Sequence, residues 1–260
     1  MALDGIEAFA AQAPAFALVL ARIGAFMVSA PLFGGPYIPG TVKGLFTLAL
    51  AIAVWPAASR GLAPITPDVG WIALLAQEVF VGLALGWLLS LLAAGVRMGG
   101  ELMSRHAGFT AAESFDPEAD VGAGPFADML FIALVMLILA TDTHHHLIAG
   151  ICRSWEAVPL GAAAITAAGS DLALRTVAES CVISLALSFP VLGVVMAITL
   201  VEGVLTRAVP QINVLHLSFA VKILVSLLVV IAGLPSAIAF LHTVVVAMQQ
   251  LIGPGLRALG

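Results

Sequence analysis

WIALLAQEVFVGLALGWLLSLLAAGV (residues 71–96) runs without a break into RMGGELMSRHAGFTAAESFDPEADVGAGPFAD (residues 97–128). The first segment carries a single charge, Glu78, in a run long enough to cross a bilayer, which takes about 20 apolar residues. The second is polar, acidic and glycine-rich. It holds six of the chain's fifteen acids: Glu101, Glu113, Asp116, Glu118, Asp120 and Asp128. A polar insert between hydrophobic helices is either an ordinary exposed loop or the moving part of a membrane device. Gly108, Gly122 and Gly124 supply backbone freedom. Phe109 and Phe115 are more than a solvent-facing loop needs.

The rest of the chain explains the setting. Its 260 residues are 62% hydrophobic and 10% charged, with a mean hydropathy of +1.14. Soluble domains are about half apolar and about a quarter charged. The excess apolar surface needs lipid or large protein interfaces, so an all-α integral membrane protein is expected. The net charge of −5 and the lack of a basic stripe exclude a nucleic-acid partner. Cys152 and Cys181 have neither the number nor the spacing of a disulfide framework or a zinc site, and read as small buried apolar side chains. The N-terminus, MALDGIEAFAAQAPAF, carries Asp4 and Glu7 and no basic region, so its apolar segment is expected to remain in the mature protein. No polar linker divides the chain, which reads as one all-helical unit over 1–260.

Apolar runs fall at about residues 8–33, 42–58, 71–96, 127–140, 177–205 and 214–251. Gly233-Leu234-Pro235 interrupts the last, predicting two helices, 214–232 and 237–252, folded as a hairpin. The run 127–140 is too short to span and needs the THHHLIAGI that follows; 42–58 is marginal. Short or broken helices survive at membrane depth only where protein or water covers their free backbone groups, so some segments are expected to pack against partner subunits. Basic residues do not set an orientation. Lys43, Arg97, Arg105 and Arg207 would fall on one side, Arg60, Arg153, Arg175 and Arg257 on the other. A faint internal repeat is also present: Pro31, Lys43 and Pro56 have the spacing of Pro210, Lys222 and Pro235.

Few residues suggest chemistry. His144-His145-His146 invites a metal, but neighbours on a helix point in different directions, and Asp142 is the only acid near enough to help. No metal or other cofactor is expected. No GxSxG, HExxH or Walker motif occurs, so no catalytic residues are assigned and the chain is not read as an enzyme. Charges inside apolar runs matter more: Arg22, Lys43, Glu78, Glu179, Glu202 and Lys222. A lone charge at a helix centre in hydrocarbon costs about 2.5–3.5 kcal/mol on insertion scales. These residues should face partners, a watery path or each other, with snorkelling an alternative for Lys43 and Glu202. A secondary transporter built on Arg22, Glu78 and Glu179 is the reading from another class. Gly82-x3-Gly86 and Gly95-x3-Gly99 have the spacing that lets helices approach closely.

Four stretches, in order, carry a resemblance: ARIGAFMVSAPLFGGPYIPGTVKGLF (residues 21–46), QEVFVGLALGWLLSLLAAGVRMGGELMSRHAGFTAAESFDPEAD (77–120), HHHLIAGICRSWEAVPLG (144–161) and LTRAVPQINVLHLSFAVKIL (205–224). Together they resemble the FliR/SctT family of the type III export apparatus, the RxxPQxN element being the most specific. The resemblance implies a FliP-like part over about 1–205 and a FliQ-like helical hairpin over about 206–260. It also implies a pore complex with FliP-like and FliQ-like subunits, contacts with FlhB-like and FlhA-like export components, and unfolded proteins as cargo. The implied location is the bacterial inner membrane at the flagellar basal body, with much of the complex on the periplasmic side. An injectisome gate is the alternative system.

Carried onto this sequence, the family's plug corresponds to residues 106–125, with Gly108, Phe109, Phe115, Asp116, Pro117 and Gly122 as its pore-closing residues. Arg22, Lys43, Glu78, Arg207, Pro210, Gln211, Asn213 and Lys222 are the implied subunit-contact or helix-junction residues. Proline stops a helix, and the amides beside it can satisfy the backbone groups it frees.

Overall fold

A computed structural model of the chain describes residues 2–35, 38–59, 69–109, 124–163, 166–208 and 214–260. All regular structure among them is α-helical. The helices are α1 (Ala2–Ser29), α2 (Gly40–Ala58), α3 (Val69–Ala107), α4 (Pro125–Ala140), α5 (Thr143–Cys152), α6 (Ser154–Ala157), α7 (Ala167–Ala208) and α8 (Val214–Leu259). Five of them are long and apolar enough to cross a membrane, or up to six if α4 and α5 are counted as one broken span. The all-α membrane protein expected from composition is what the chain forms. The run 127–140 is short, as expected, and THHHLIAGI adds to it only across a bend: α4 and α5 together have the length and hydropathy of a span but turn by 72° at Thr141 and Asp142.

The helices fall into two compact units, neither continuous in sequence. The first takes Met1–Leu91, Asp142–Thr176 and Met248–Gly260; the second takes Leu92–Thr141 and Val177–Ala247. A single unit is what the lack of a linker suggests. Three of the four boundaries lie inside the unbroken helices α3, α7 and α8, and the fourth falls in the turn between α4 and α5.

Glycines set the helix spacing within each unit. In the first, a Cβ on Gly82 would strike the Arg22 carbonyl and the Ala25 side chain, and one on Gly86 would strike Ser29, so α3 lies backbone to backbone on α1. Phe16 and Trp55 meet edge to face at 5.7 Å, closing α2 onto α1. Thr166 starts α7: its Oγ1 accepts the Gly169 N–H at 3.0 Å, the usual N-cap arrangement, and donates to the Ala258 carbonyl at 2.6 Å. In the second unit Gly95 lies on Ser180, Gly99 on Ser184, and Gly100 on the Ala127 backbone, bringing α7 and α4 onto α3. Both glycine pairs singled out in the sequence therefore have a packing role.

Two expectations fail. The break at Gly233-Leu234-Pro235 does not occur, and α8 runs through it as one helix of 46 residues. Proline removes one N–H and crowds one carbonyl, a defect that long apolar helices tolerate where the rest of the helix is held by neighbours. A hairpin does exist, one helix earlier. Lys222 Nζ on α8 pairs with Glu202 on α7 at 2.9 Å, and Pro190 and Val191 share a groove with Val230, Gly233 and Leu234. So α7 and α8 run antiparallel over this stretch, about the connection 209–213. The internal repeat also fails. Lys43 Nζ donates to the carbonyls of Gly34 and Gly35 at 3.2 and 2.8 Å, whereas Lys222 is in an ion pair, so the two lysines occupy unrelated settings.

The glycine packing gives a contrast to measure. Gly82→Ala should lower the melting temperature of the detergent-solubilised protein, by the equivalent of about 1–3 kcal/mol for overpacking. Gly203→Ala, whose Cβ would meet open space, should leave it unchanged or raise it by up to about 1 kcal/mol equivalent.

Candidate functional site

Arg22 sits in the last third of α1 and Glu78 in the first half of α3, and both side chains are fully buried. Arg22 Nε donates to Glu78 Oε2 at 2.5 Å. Arg22 Nη1 donates to Ser154 Oγ and to the Val158 carbonyl, each at 3.0 Å. The other carboxylate oxygen, Glu78 Oε1, accepts the Gly161 N–H at 3.1 Å. The guanidinium lies 4.8 Å from the centre of the Trp155 ring. The pair therefore ties α1 and α3 to residues 154–161. The close glycine packing at Gly82, one turn along α3 from Glu78, holds the two helices near enough for this contact. Of the alternatives the sequence left open, Arg22 and Glu78 face each other. Glu179, the third member of the transporter reading, is exposed on α7.

In the second unit the polar insert has firm ends. Residues 97–107 are helical, the last turns of α3, with Arg105 and His106 where basic side chains suit the helix dipole. Gly108 ends the helix in the left-handed region at φ 92°. Its N–H donates to the Arg105 carbonyl, and the Phe109 N–H to the Ser104 carbonyl, each at 3.1 Å. This is the paired bonding of a Schellman stop, with glycine where a Cβ would be strained. The chain returns at Gly124, also left-handed at φ 66°, with Pro125 at the first position of α4. Gly124 has no side chain to cap α4. The buried Ser104 serves instead, its Oγ accepting the Phe126 N–H at 3.1 Å. Phe109 and Phe126 meet edge to face at 5.2 Å. Ser104 thus closes α3 with its carbonyl and opens α4 with its hydroxyl, and the two ends of segment 110–123 are clasped together.

This changes what two expected plug residues do. Gly108 is a fixed helix stop rather than a loose joint, and Phe109 is half-buried against Phe126. Phe115, Asp116, Pro117 and Gly122 lie outside the described residues, as do Pro210, Gln211 and Asn213. Arg207 is exposed in the last turn of α7. Lys43 joins the turn after α1 to the start of α2, and Lys222 holds the α7–α8 hairpin. Sequence reasoning missed Ser104. A serine four residues before a helix-ending glycine gives no sign that it will cap the next helix.

The histidine triplet also differs from expectation. Asp142 is left-handed at φ 54°, the one non-glycine residue with positive φ among those described. That turn brings one ligand atom each of Asp142, His144 and His145 within 4.8 Å of one another.

Outside these sites, apolar side chains face outward. Phe189, Leu200 and Val204 on α7, and Leu224, Leu228 and Ile231 on α8, are each more than half exposed. Such a surface needs lipid or a partner.

Removing Glu78 should be costly, because it strands the Arg22 charge in a closed site. Glu78→Ala is expected to destabilise by about 3–5 kcal/mol, read as a lower melting temperature in detergent. The double variant Arg22→Met, Glu78→Leu should recover most of that loss.

Known proteins resemble this chain over most of its length. Residues 13–248 match a family described as bacterial export proteins, family 1. The chain is 28% identical to a Caulobacter vibrioides protein named flagellar biosynthetic protein FliR, over 87% of this chain and 90% of that one. Proteins of the same name from Bacillus subtilis and Escherichia coli K12 are 28% and 24% identical, covering 84% and 83% of this chain and 85% and 82% of theirs.

Proposed function

We infer the function of this chain from its family: it belongs to the bacterial export proteins, family 1. It is a subunit of the flagellar type III protein export gate, a membrane protein with a structural and gating role rather than a catalytic one. The match to the export family over residues 13–248 carries this reading, and the names of the relatives favour the flagellar system over the injectisome. In the gate the chain joins FliP-like and FliQ-like subunits in the bacterial inner membrane at the flagellar basal body. FlhB-like and FlhA-like components adjoin it, and unfolded flagellar proteins pass through. The FliP-like part extends to about residue 205. The FliQ-like part is about residues 206–260, whose α8 runs in one piece rather than folding at Pro235, with α7 packed antiparallel to it. The exposed apolar faces of these helices support a protein completed by partners. The mutual burial of Arg22 and Glu78 counts against a transporter, whose site would need them available.

Segment 106–125 is the plug. Its base is the Ser104 clasp, which keeps both ends in register while the segment between them is displaced. With Phe109 engaged on Phe126, the pore-closing contact falls to Phe115, set among Asp116, Pro117 and Gly122. The acids keep the segment wetted. Arg207, Pro210, Gln211 and Asn213 shape the connection between α7 and α8 for partner contacts.

Deleting residues 110–120 should leave the clasp in place and make membranes containing the assembled complex leaky to small ions, read as dye or ion flux. Unchanged permeability with normal assembly would overturn the plug while leaving gate membership standing. Ser104→Ala removes the cap on α4, a loss of about 1 kcal/mol, and should give a milder leak than the deletion.

A further inference from the structure

The turn before α5 has four features that its place in an export protein does not account for. Asp142 occupies the N-cap of α5, a position where aspartate ordinarily accepts a backbone N–H, yet its side chain makes no capping bond. Instead the carboxylate turns toward His145, with Oδ1 3.4 Å from Nδ1. The backbone at Asp142 adopts the left-handed conformation, which only a short polar side chain tolerates well. The His144 and His145 rings lie side by side, with centroids 4.0 Å apart. His144 Nδ1 is shielded from solvent and has no hydrogen-bond partner among the described residues. A shielded nitrogen without a partner costs about 1–3 kcal/mol.

We propose that Asp142, His144 and His145 form a binding site for a divalent transition-metal ion, with Zn2+ the ion it fits best. One carboxylate oxygen and two imidazole nitrogens are a donor set for Zn2+, Ni2+ or Cu2+ rather than for Mg2+ or Ca2+, which prefer oxygen ligands. Ligand atoms bonded to one zinc ion at about 2.0–2.2 Å sit closer together than the 4.8 Å spread here, and side-chain rotation of the exposed Asp142 and His145 closes that gap. Two effects oppose each other. The positive end of the α5 dipole disfavours a cation, by about 0.3–1 kcal/mol in exposed settings. The full negative charge of Asp142, left free by the missing cap bond, outweighs it. Three protein ligands leave at least one coordination position for water or a group from a neighbouring molecule. His146, one residue further on, is not a member of the cluster among the described residues. The ion would tie the Asp142 turn to the first turn of α5.

The inference stands on this turn alone and does not rest on the export reading. It is tested by calorimetric titration of Zn2+ into the full-length chain in detergent, carrying a tag without histidines and with its partner subunits where they co-purify. One Zn2+ per chain is expected to bind saturably. Asp142→Asn and His145→Gln should each weaken binding by on the order of tenfold or more, while His146→Ala should leave it unchanged. Co2+ added in place of Zn2+ should give visible absorption bands that His145→Gln removes. Failure of the wild-type chain to bind Zn2+ stoichiometrically would overturn the site, whatever the variants do. So would a loss in His146→Ala as large as that in His145→Gln, which marks nonspecific capture by a histidine-rich surface.

Discussion

One buried ion pair organises the first unit. Withdrawing two charges from water costs several kcal/mol per ion, even after relaxation. Arg22 and Glu78 offset that cost by pairing both carboxylate oxygens and two of the three guanidinium nitrogens, Nη2 having no hydrogen-bond partner among the described residues. The carboxylate takes the guanidinium on one oxygen and a backbone N–H on the other, and the guanidinium reaches a serine and a carbonyl beyond it. Such a network is worth little as net stability, yet it is unforgiving of misplacement. It sets the register of α1 against α3 and pins the turn at 154–161 to both. Packing by Leu18, Val19 and Ile23, apolar and interchangeable, could not choose among neighbouring registers so sharply.

The second unit achieves its geometry differently. Gly95, Gly99 and Gly100 let α7 and α4 reach the backbone of α3, and Ser104 turns that proximity into a clasp at the mouth of the polar insert. A serine whose carbonyl closes one helix and whose hydroxyl opens the next holds the two ends of the insert together. On α7 and α8, side chains such as Phe189 and Leu228 are more than half exposed among the described residues. The rigid base and the uncovered helices suit a subunit whose remaining contacts come from an assembly.

Much of this was legible in the residues. The membrane class followed from composition, the helix-packing glycines from their spacing, and the family from four ordered stretches now matched by residues 13–248. Arg22 and Glu78 stood out as charges in apolar runs, and that each would find the other was among the stated options. What could not be read was long-range or cooperative. Pro235 signals a break locally, but whether a helix survives its proline is decided by what holds the flanking turns. Ser104 caps a helix that starts twenty-one residues later, and nothing in sequence distance announces that. The matching spacing of Lys43 and Lys222 was a coincidence of apolar helices, and their partners show it. Adjacent histidines ordinarily diverge, and it took the left-handed turn at Asp142 to bring two of them beside a carboxylate.

We infer that this chain is completed by other subunits. The decisive experiment is its purification in mild detergent from cells that also express FliP-like and FliQ-like proteins. The account predicts that it elutes with both in one complex of defined mass, and that without them it is degraded or aggregates. Recovery as a stable, monodisperse single chain that leaves both neighbours behind would contradict it.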